Sequence, residues 1–399
     1  METVRLDEGL LRTTAGNGLV VLTEALPGVR SAAVGIWVRT ASAHESREQR
    51  GISHLLEHMV FKGTERRNAR QLALELEARG GGLDAFTGRD YTSYQAHILD
   101  ADLPVAVEVL TDLVRRPLLR QSDLDLERNV ILEEINGVAD TPDDLIFEVL
   151  AETLWPDHPY GYSILGTPET VSAVTAADLR ALHDGGYYRG NCVIAAAGNV
   201  NHDQLLTVLE REGWLIGAAR EPAQRAIASV PAVRGVERSC ERDTQQAHIV
   251  FGGGMSSRLF QRIREELGLA YAVYAYKSFY QTTGQLGVYV GTQPGTADKA
   301  VEAIRGEFGR LAKEGLTDEE LAMGKQQLKG QVMLALESPS ARMGRLAGFI
   351  LHGDRYRPLD EMLADIGAVT RDDVVAVAAE FFAPERQTIV RLGPENAKA

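Results

Sequence analysis

The sequence predicts an α+β protein of two homologous domains, each a mostly antiparallel sheet with helices packed on it. Three observations carry this. The order of elements in the first half largely recurs in the second; adjacent strands are joined by short turns rather than helical crossovers; and a stretch without clean periodicity separates the halves. At 399 residues, 44% hydrophobic and 25% charged, the chain is long enough to bury two cores.

In the first half, strand-like RSAAVGIWVRT (30–40) leads through two helical stretches to LDAFTGRDYTSYQAHIL (83–99), a strand pair. The helices LPVAVEVLTDLVRR (103–116) and SDLDLERNVILEEING (122–137) follow. The second half offers QQAHIVF (245–251), SSRLFQRIREELG (256–268), the strand pair LAYAVYAYKSFYQTTGQLGVYVGT (269–292) and helices over 296–315 and 317–336. Ser122 with Asp125, and Thr317 with Glu320, read as capping boxes opening the last helix of each set. One element differs. First strand to strand pair takes about 50 residues in the first half but about 22 in the second, so the second repeat is expected to lack a helix. Residues 216–240, rich in Ala, Pro and Arg, read as a linker, giving an N-terminal domain over 1–215 and a C-terminal domain over 241–399, shortened between its first strand and first helix.

Composition narrows the partners. Basic residues number 42 and acidic ones 56, a net charge of -14, which opposes binding to nucleic acid or anionic membrane. Cys192 and Cys240 have no motif spacing and read as free thiols. No run approaches the roughly 18 apolar residues of a membrane span, and the acidic start METVRLDEGLL lacks the features of a secretory signal, so a cytoplasmic location is expected. The triple glycines of GGGLDAF and GGGMSS lack the frame of a phosphate-binding loop.

The chemistry lies in GISHLLEHMVFKG, residues 51–63. On a helix, positions four apart stack on one face, so His54 and His58 present paired imidazoles with Glu57 beside them. A lone histidine among Ile52, Leu55, Leu56, Met59 and Val60 is ordinarily a satisfied half-core residue. Three matched positions point instead to two ligands for Zn²⁺ and a carboxylate in reach of a metal-bound water. A third protein ligand is needed, and the helix over 122–137 offers Glu127, Glu133 and Glu134. Glu127 and Glu134, seven apart, share a face; spacing alone does not choose Glu134 over Glu133.

HLLEH, with Glu134 seventy-six residues after the second histidine, resembles the inverzincin peptidases of the pitrilysin, insulin-degrading enzyme and mitochondrial processing peptidase group. The resemblance runs along nearly the whole chain: 80–99 is similar to the family's substrate-edge strand, YYRGNCVIAAAGNVNHD (187–203) to the closing strand of its first domain, and 252–271 to its second-domain signature. Size and linker look most like the bacterial relatives of the processing peptidase. The sequence departs from the family at Asp84, usually Asn, at Asp90, often Glu, and in the shortened second repeat.

The resemblance implies that His54, His58 and Glu134 ligate zinc, that Glu57 is the catalytic general base and that Glu127 supports a ligand from behind. It implies that Arg264 and Tyr271 engage substrate near the scissile bond, and that an extended peptide pairs with the strand around Ala85, Phe86 and Thr87. The expected function is a zinc-dependent endopeptidase for extended peptides or unfolded segments, working as a homodimer or as a heterodimer with a related subunit. The alternative is a non-catalytic scaffold or partner subunit, or a metal or peptide binder without turnover.

Overall fold

The structure, a computed structural model, describes residues 1–220, 227–231, 235–252 and 259–394, with backbone alone at 251, 252, 260 and 271. Its first sheet contains β1 (Glu2–Asp7), β2 (Leu10–Thr14), β3 (Val20–Ala25), β4 (Ser31–Val38), β5 (Gly82–Thr87), β6 (Thr92–Leu99) and β7 (Cys192–Gly198) in the order β1-β2-β3-β7-β4-β6-β5. The second contains β8 (Glu237–Glu241), β9 (Ala247–Gly252), β10 (Ala270–Phe279), β11 (Gly284–Thr292) and β12 (Ile389–Gly393) in the order β10-β11-β9-β12-β8.

The predicted repeat is visible as topology. Read from the other edge, β8-β12-β9-β11-β10 matches β3-β7-β4-β6-β5 strand for strand. In each series the first pair is parallel and the rest antiparallel. The α+β class and the mostly antiparallel sheets are as predicted. Between β4 and β5 lie α1 (Ile52–Val60) and α2 (Ala69–Glu77). Between β9 and β10, among the described residues, the corresponding helical segment is Phe260–Glu266, wound as a π-helix. The stretch 216–240 read as a linker ends in β8, whose side chains alternate exposed and half-buried, as suits an edge strand laid parallel to β12.

Packing divides the chain into two compact units. One comprises Met1–Glu133, Ile164–Ile227 and Gly330–Glu361; the other comprises Glu134–Ser163, Ala228–Lys329 and Met362–Ala399. They interleave along the chain, whereas the divisions 1–215, 216–240 and 241–399 expected from the sequence are consecutive. In the first unit, helix α3 (Leu103–Arg115) packs against β4 and β6. The helix Pro339–Leu351 sets Met343, Leu346 and Ala347 against Leu22, Ala33, Trp37 and Val193. In the second unit, Ile249, Val288 and Val290 pack on Ala300, Ile304 and Phe308. The alternate residues Val250 and Tyr289 take Ile146 and Leu150 of the helix α5 (Pro142–Leu154). Each sheet thus receives one helix from the opposite half of the chain. Leu346 is fully buried, and truncating such a residue to Ala costs about 2–5 kcal/mol.

The helix α4 (Gln121–Asp140) begins earlier than predicted. The Arg120 carbonyl accepts the first amides, from Asp123 and Leu124, so Ser122 lies inside the helix and does not cap it. Asp125 is engaged instead by Gln121 at 2.8 Å and Arg128 at 3.2 Å. The Thr317–Glu320 box is formed, with the Thr317 amide donating to Glu320 at 2.7 Å and the Glu320 amide to Thr317 Oγ1 at 3.2 Å. Cys192 and Cys240 are free thiols, and no described helix is long and apolar enough to cross a membrane.

Candidate metal centre

The helix α1 is anchored at its start. Gly51 precedes it at φ +91°, and a Cβ there would stand 2.6 Å from the Leu165 carbonyl oxygen, so only glycine admits this close approach. The Glu45 carboxylate accepts the amides of Gly51 and Ser53, each at 2.8 Å, satisfying amides that the helix cannot and facing its positive end. Burial pushes the Glu45 carboxyl up to about 7 against these hydrogen bonds, which favour its charged form. Ile52, Leu55, Leu56, Met59 and Val60 are buried. That fixes the rotation of the helix and leaves His54, Glu57 and His58 together on the half-buried face, the two imidazole centroids 4.6 Å apart.

The third candidate ligand is carried by α4, whose buried residues Leu124, Glu127 and Ile131 form an inward stripe at helical spacing. Glu134 continues that stripe and is half-buried, whereas Glu133 is exposed. Packing therefore turns Glu134, and not Glu133, towards the inward face that spacing left undetermined. The unit boundary falls between Glu133 and Glu134, but α4 is continuous through it, so the same helix carries Glu127 and Glu134. One ligand atom each from His54, His58 and Glu134 lie within 4.8 Å of one another. Two imidazoles and a carboxylate are the donor set of a catalytic zinc site with an open position, and the residues fit that ion. Burial, with His58 adding to it, pulls the His54 imidazole down to about 4, keeping it in the neutral form that can ligate.

Further residues contact these candidate ligands. His58 Nδ1 lies 2.8 Å from Glu127 Oε1, a contact that would set the tautomer and assign any ligand role to the other ring nitrogen. Glu127 is buried, and its second oxygen pairs with Lys62. Thr87 Oγ1 donates to Glu57 Oε2 at 2.6 Å. Burial raises the Glu57 carboxyl, opposed by the Thr87 hydrogen bond and by His58. Thr87 ends β5, the edge of the first sheet. Its partner β6 occupies one side, leaving backbone groups on the other for an added strand. Ala85 is half-buried and Phe86 is 40% exposed.

Arg264 and Tyr271 belong to the second unit. Arg264 lies in the π-helical segment, half-buried, its guanidinium 3.7 Å from Glu265. Tyr271 is in β10, the edge of the second sheet, where its backbone alone is described. Sequence reasoning missed Glu45, Lys62 and the hydrogen-bonding role of Thr87. Lys62 had a usable signal, four residues after His58; Glu45 had none, because its contact with α1 is made through backbone amides.

Residues 20–168 match the family model described as insulinase, peptidase family M16, and residues 247–328 match that of the peptidase M16 inactive domain. A Streptomyces coelicolor protein named an uncharacterized zinc protease is 38% identical over 97% of this chain and 90% of its own length. A Bacillus subtilis protein, also named an uncharacterized zinc protease, is 35% identical over 93% of this chain and 95% of its own. The crystal structure of a protease from Helicobacter pylori superposes with a TM-score of 0.88 at 21% identity, covering 96% of this chain and 99% of that one. A peptidase M16 inactive domain structure from Pseudomonas fluorescens also gives 0.88, at 19% identity, over 96% and 98%.

Proposed function

Because this chain belongs to the insulinase, or peptidase M16, family, we propose that it is a zinc-dependent endopeptidase acting on extended peptides or unfolded segments. The observation that carries this is the meeting of His54, His58 and Glu134, with Glu57 beside them and Glu127 behind. Zinc held by the three ligands supplies Lewis acidity, polarising a peptide carbonyl and making a water more acidic.

The chain's own residues supply the rest. Glu57 takes a proton from the attacking water and passes it to the leaving amine. Thr87 holds Oε2 of that carboxylate, leaving Oε1 as the oxygen that exchanges the proton. A substrate strand pairs along the free edge of β5 at Ala85, Phe86 and Thr87; main-chain pairing requires an extended peptide and disfavours folded proteins. Arg264 and Tyr271 contact the substrate and its developing oxyanion. We assign the working form to a pair of chains, this one twice or this one with a related subunit, in the cytoplasm, with residues 1–215 and 241–399 as its two homologous repeats.

The rival is a partner subunit or binder without turnover. It draws support from the short connection between β9 and β10, whose described residues hold one helical segment where β4 and β5 are joined by two. Zinc per chain and hydrolysis of an unstructured peptide, each with and without Glu57→Gln, separate the readings. Stoichiometric zinc in both proteins, with cleavage in the wild type only, is the result expected. Zinc without cleavage in either overturns the enzyme reading.

A further inference from the structure

Glu127 has two oxygens with two different partners. Oε1 takes His58 Nδ1 at 2.8 Å, while Oε2 is paired with the Lys62 ammonium. The Glu127 side chain is 6% exposed and that of Lys62 35%, so this is not an ion pair of the solvated kind that contributes little. A buried carboxylate is tolerated only when its charge is met, and Lys62 is the full positive charge that meets this one.

The backbone delivers the ammonium to that place. Lys62 lies two residues past Val60, the last residue of α1, and its amide donates to the Met59 carbonyl at 3.2 Å, prolonging the last turn. This keeps its side chain on the face of His58, four residues earlier. Its own carbonyl accepts Arg120 Nη2 at 3.1 Å, and Arg120 is the residue whose carbonyl opens α4. Lys62 is therefore tied to α4 twice, by backbone to its start and by ammonium to its second turn. The helix bearing two proposed ligands is joined through this one residue to the helix bearing the third.

Glu127 and Glu134 share a face of α4, and a carboxylate with a loose oxygen beside His58 is itself a competent zinc ligand. We infer that Lys62 is a positioning residue of the metal site: it holds Glu127 as the acceptor of His58 Nδ1 and withholds that carboxylate from the ion. The inference rests on the zinc reading proposed above. It explains why Glu127 supports the site without entering it.

The test is zinc affinity by chelator competition on the full chain, for the wild type, Lys62→Met, Lys62→Arg, Glu127→Gln and the Lys62→Met/Glu127→Gln double variant. Thermal midpoints of the metal-free proteins report folding. Lys62→Met should weaken zinc about tenfold or more, in the range found when groups that orient ligands are removed, and Lys62→Arg should recover most of it. The double variant should match Glu127→Gln alone, because the lysine acts only through that carboxylate. With cobalt in place of zinc, Lys62→Met should change the visible spectrum as Glu127 enters the coordination sphere, and adding Glu127→Gln should reverse the change. If Lys62→Met unfolds, Lys62→Gln takes its place in the series. Wild-type affinity in the lysine variant, or an undiminished loss on top of Glu127→Gln, overturns the inference while leaving the zinc site standing. A wild-type protein that bound no zinc would overturn the underlying reading as well.

Discussion

Thr87 Oγ1 donates a 2.6 Å hydrogen bond to Glu57 Oε2, so the edge strand β5 and the helix α1 meet through the carboxylate assigned as general base. The strand proposed to receive substrate and the group proposed to move protons are thereby held in one frame. Thr87→Val keeps the shape and removes the donor. Peptide hydrolysis should show kcat falling about tenfold, the value of one hydrogen bond to a charged group, with zinc content and KM nearly unchanged. Glu57→Gln should lower kcat by at least about a hundredfold. Equal activity in Thr87→Val and wild type would remove Thr87 from the mechanism.

Glu134 and Glu133 are neighbours in sequence with different surroundings, one half-buried with its oxygen near two imidazoles and the other exposed. Glu134→Gln should abolish stoichiometric zinc at micromolar free metal, whereas Glu133→Gln should bind as the wild type does. Metal analysis after gel filtration reads both. The reverse pattern would mean that α4 is rotated from the position described.

Gly51→Ala places a methyl group against the Leu165 carbonyl oxygen and forces an L residue to φ +91°. A destabilisation of about 3 kcal/mol is expected, from strain and a backbone clash together. The denaturant midpoint measures it. Because the misfit sits at the entry to α1, zinc affinity should fall along with stability.

The buried Glu45 carboxyl is raised from 4.5 to about 7 by burial. Its pKa is higher folded than unfolded, so between these values the folded state binds more protons than the unfolded chain. Stability then declines as pH rises from about 4.5 towards about 7. Unfolding free energies of wild type and Glu45→Gln, compared across this window, should show the wild type losing ground to the variant as pH increases. Parallel pH profiles would show that the amide hydrogen bonds offset burial and leave the carboxyl unshifted.

Much of this arrangement is legible in the sequence. Two histidines four apart with an intervening glutamate define a helix face by periodicity alone, and the recurring element order foretold two sheets of one topology, as β3-β7-β4-β6-β5 and β8-β12-β9-β11-β10 bear out. The inward stripe Leu124, Glu127, Ile131 and Glu134 was present as a 3-4-3 spacing, but only burial shows which face of α4 is turned inward. Ser122 resembled a cap by residue type, yet the Arg120 carbonyl begins the helix two residues earlier. Local pattern does not decide between adjacent starts that differ by one hydrogen bond.

The sequence by itself determined the local chemistry: which side chains share a helix face, which strands alternate, and which donor types suit a divalent ion. Those follow from fixed periods of 3.6 and 2.0 residues, which any short window displays. Tertiary structure alone decided that α5 crosses to the second sheet, that Glu45 closes the start of α1, and that Lys62 meets Glu127. Glu45 reaches amides six and eight residues on, while the other two join residues distant along the chain; all three depend on complementary shape or charge, which no helix or strand period encodes.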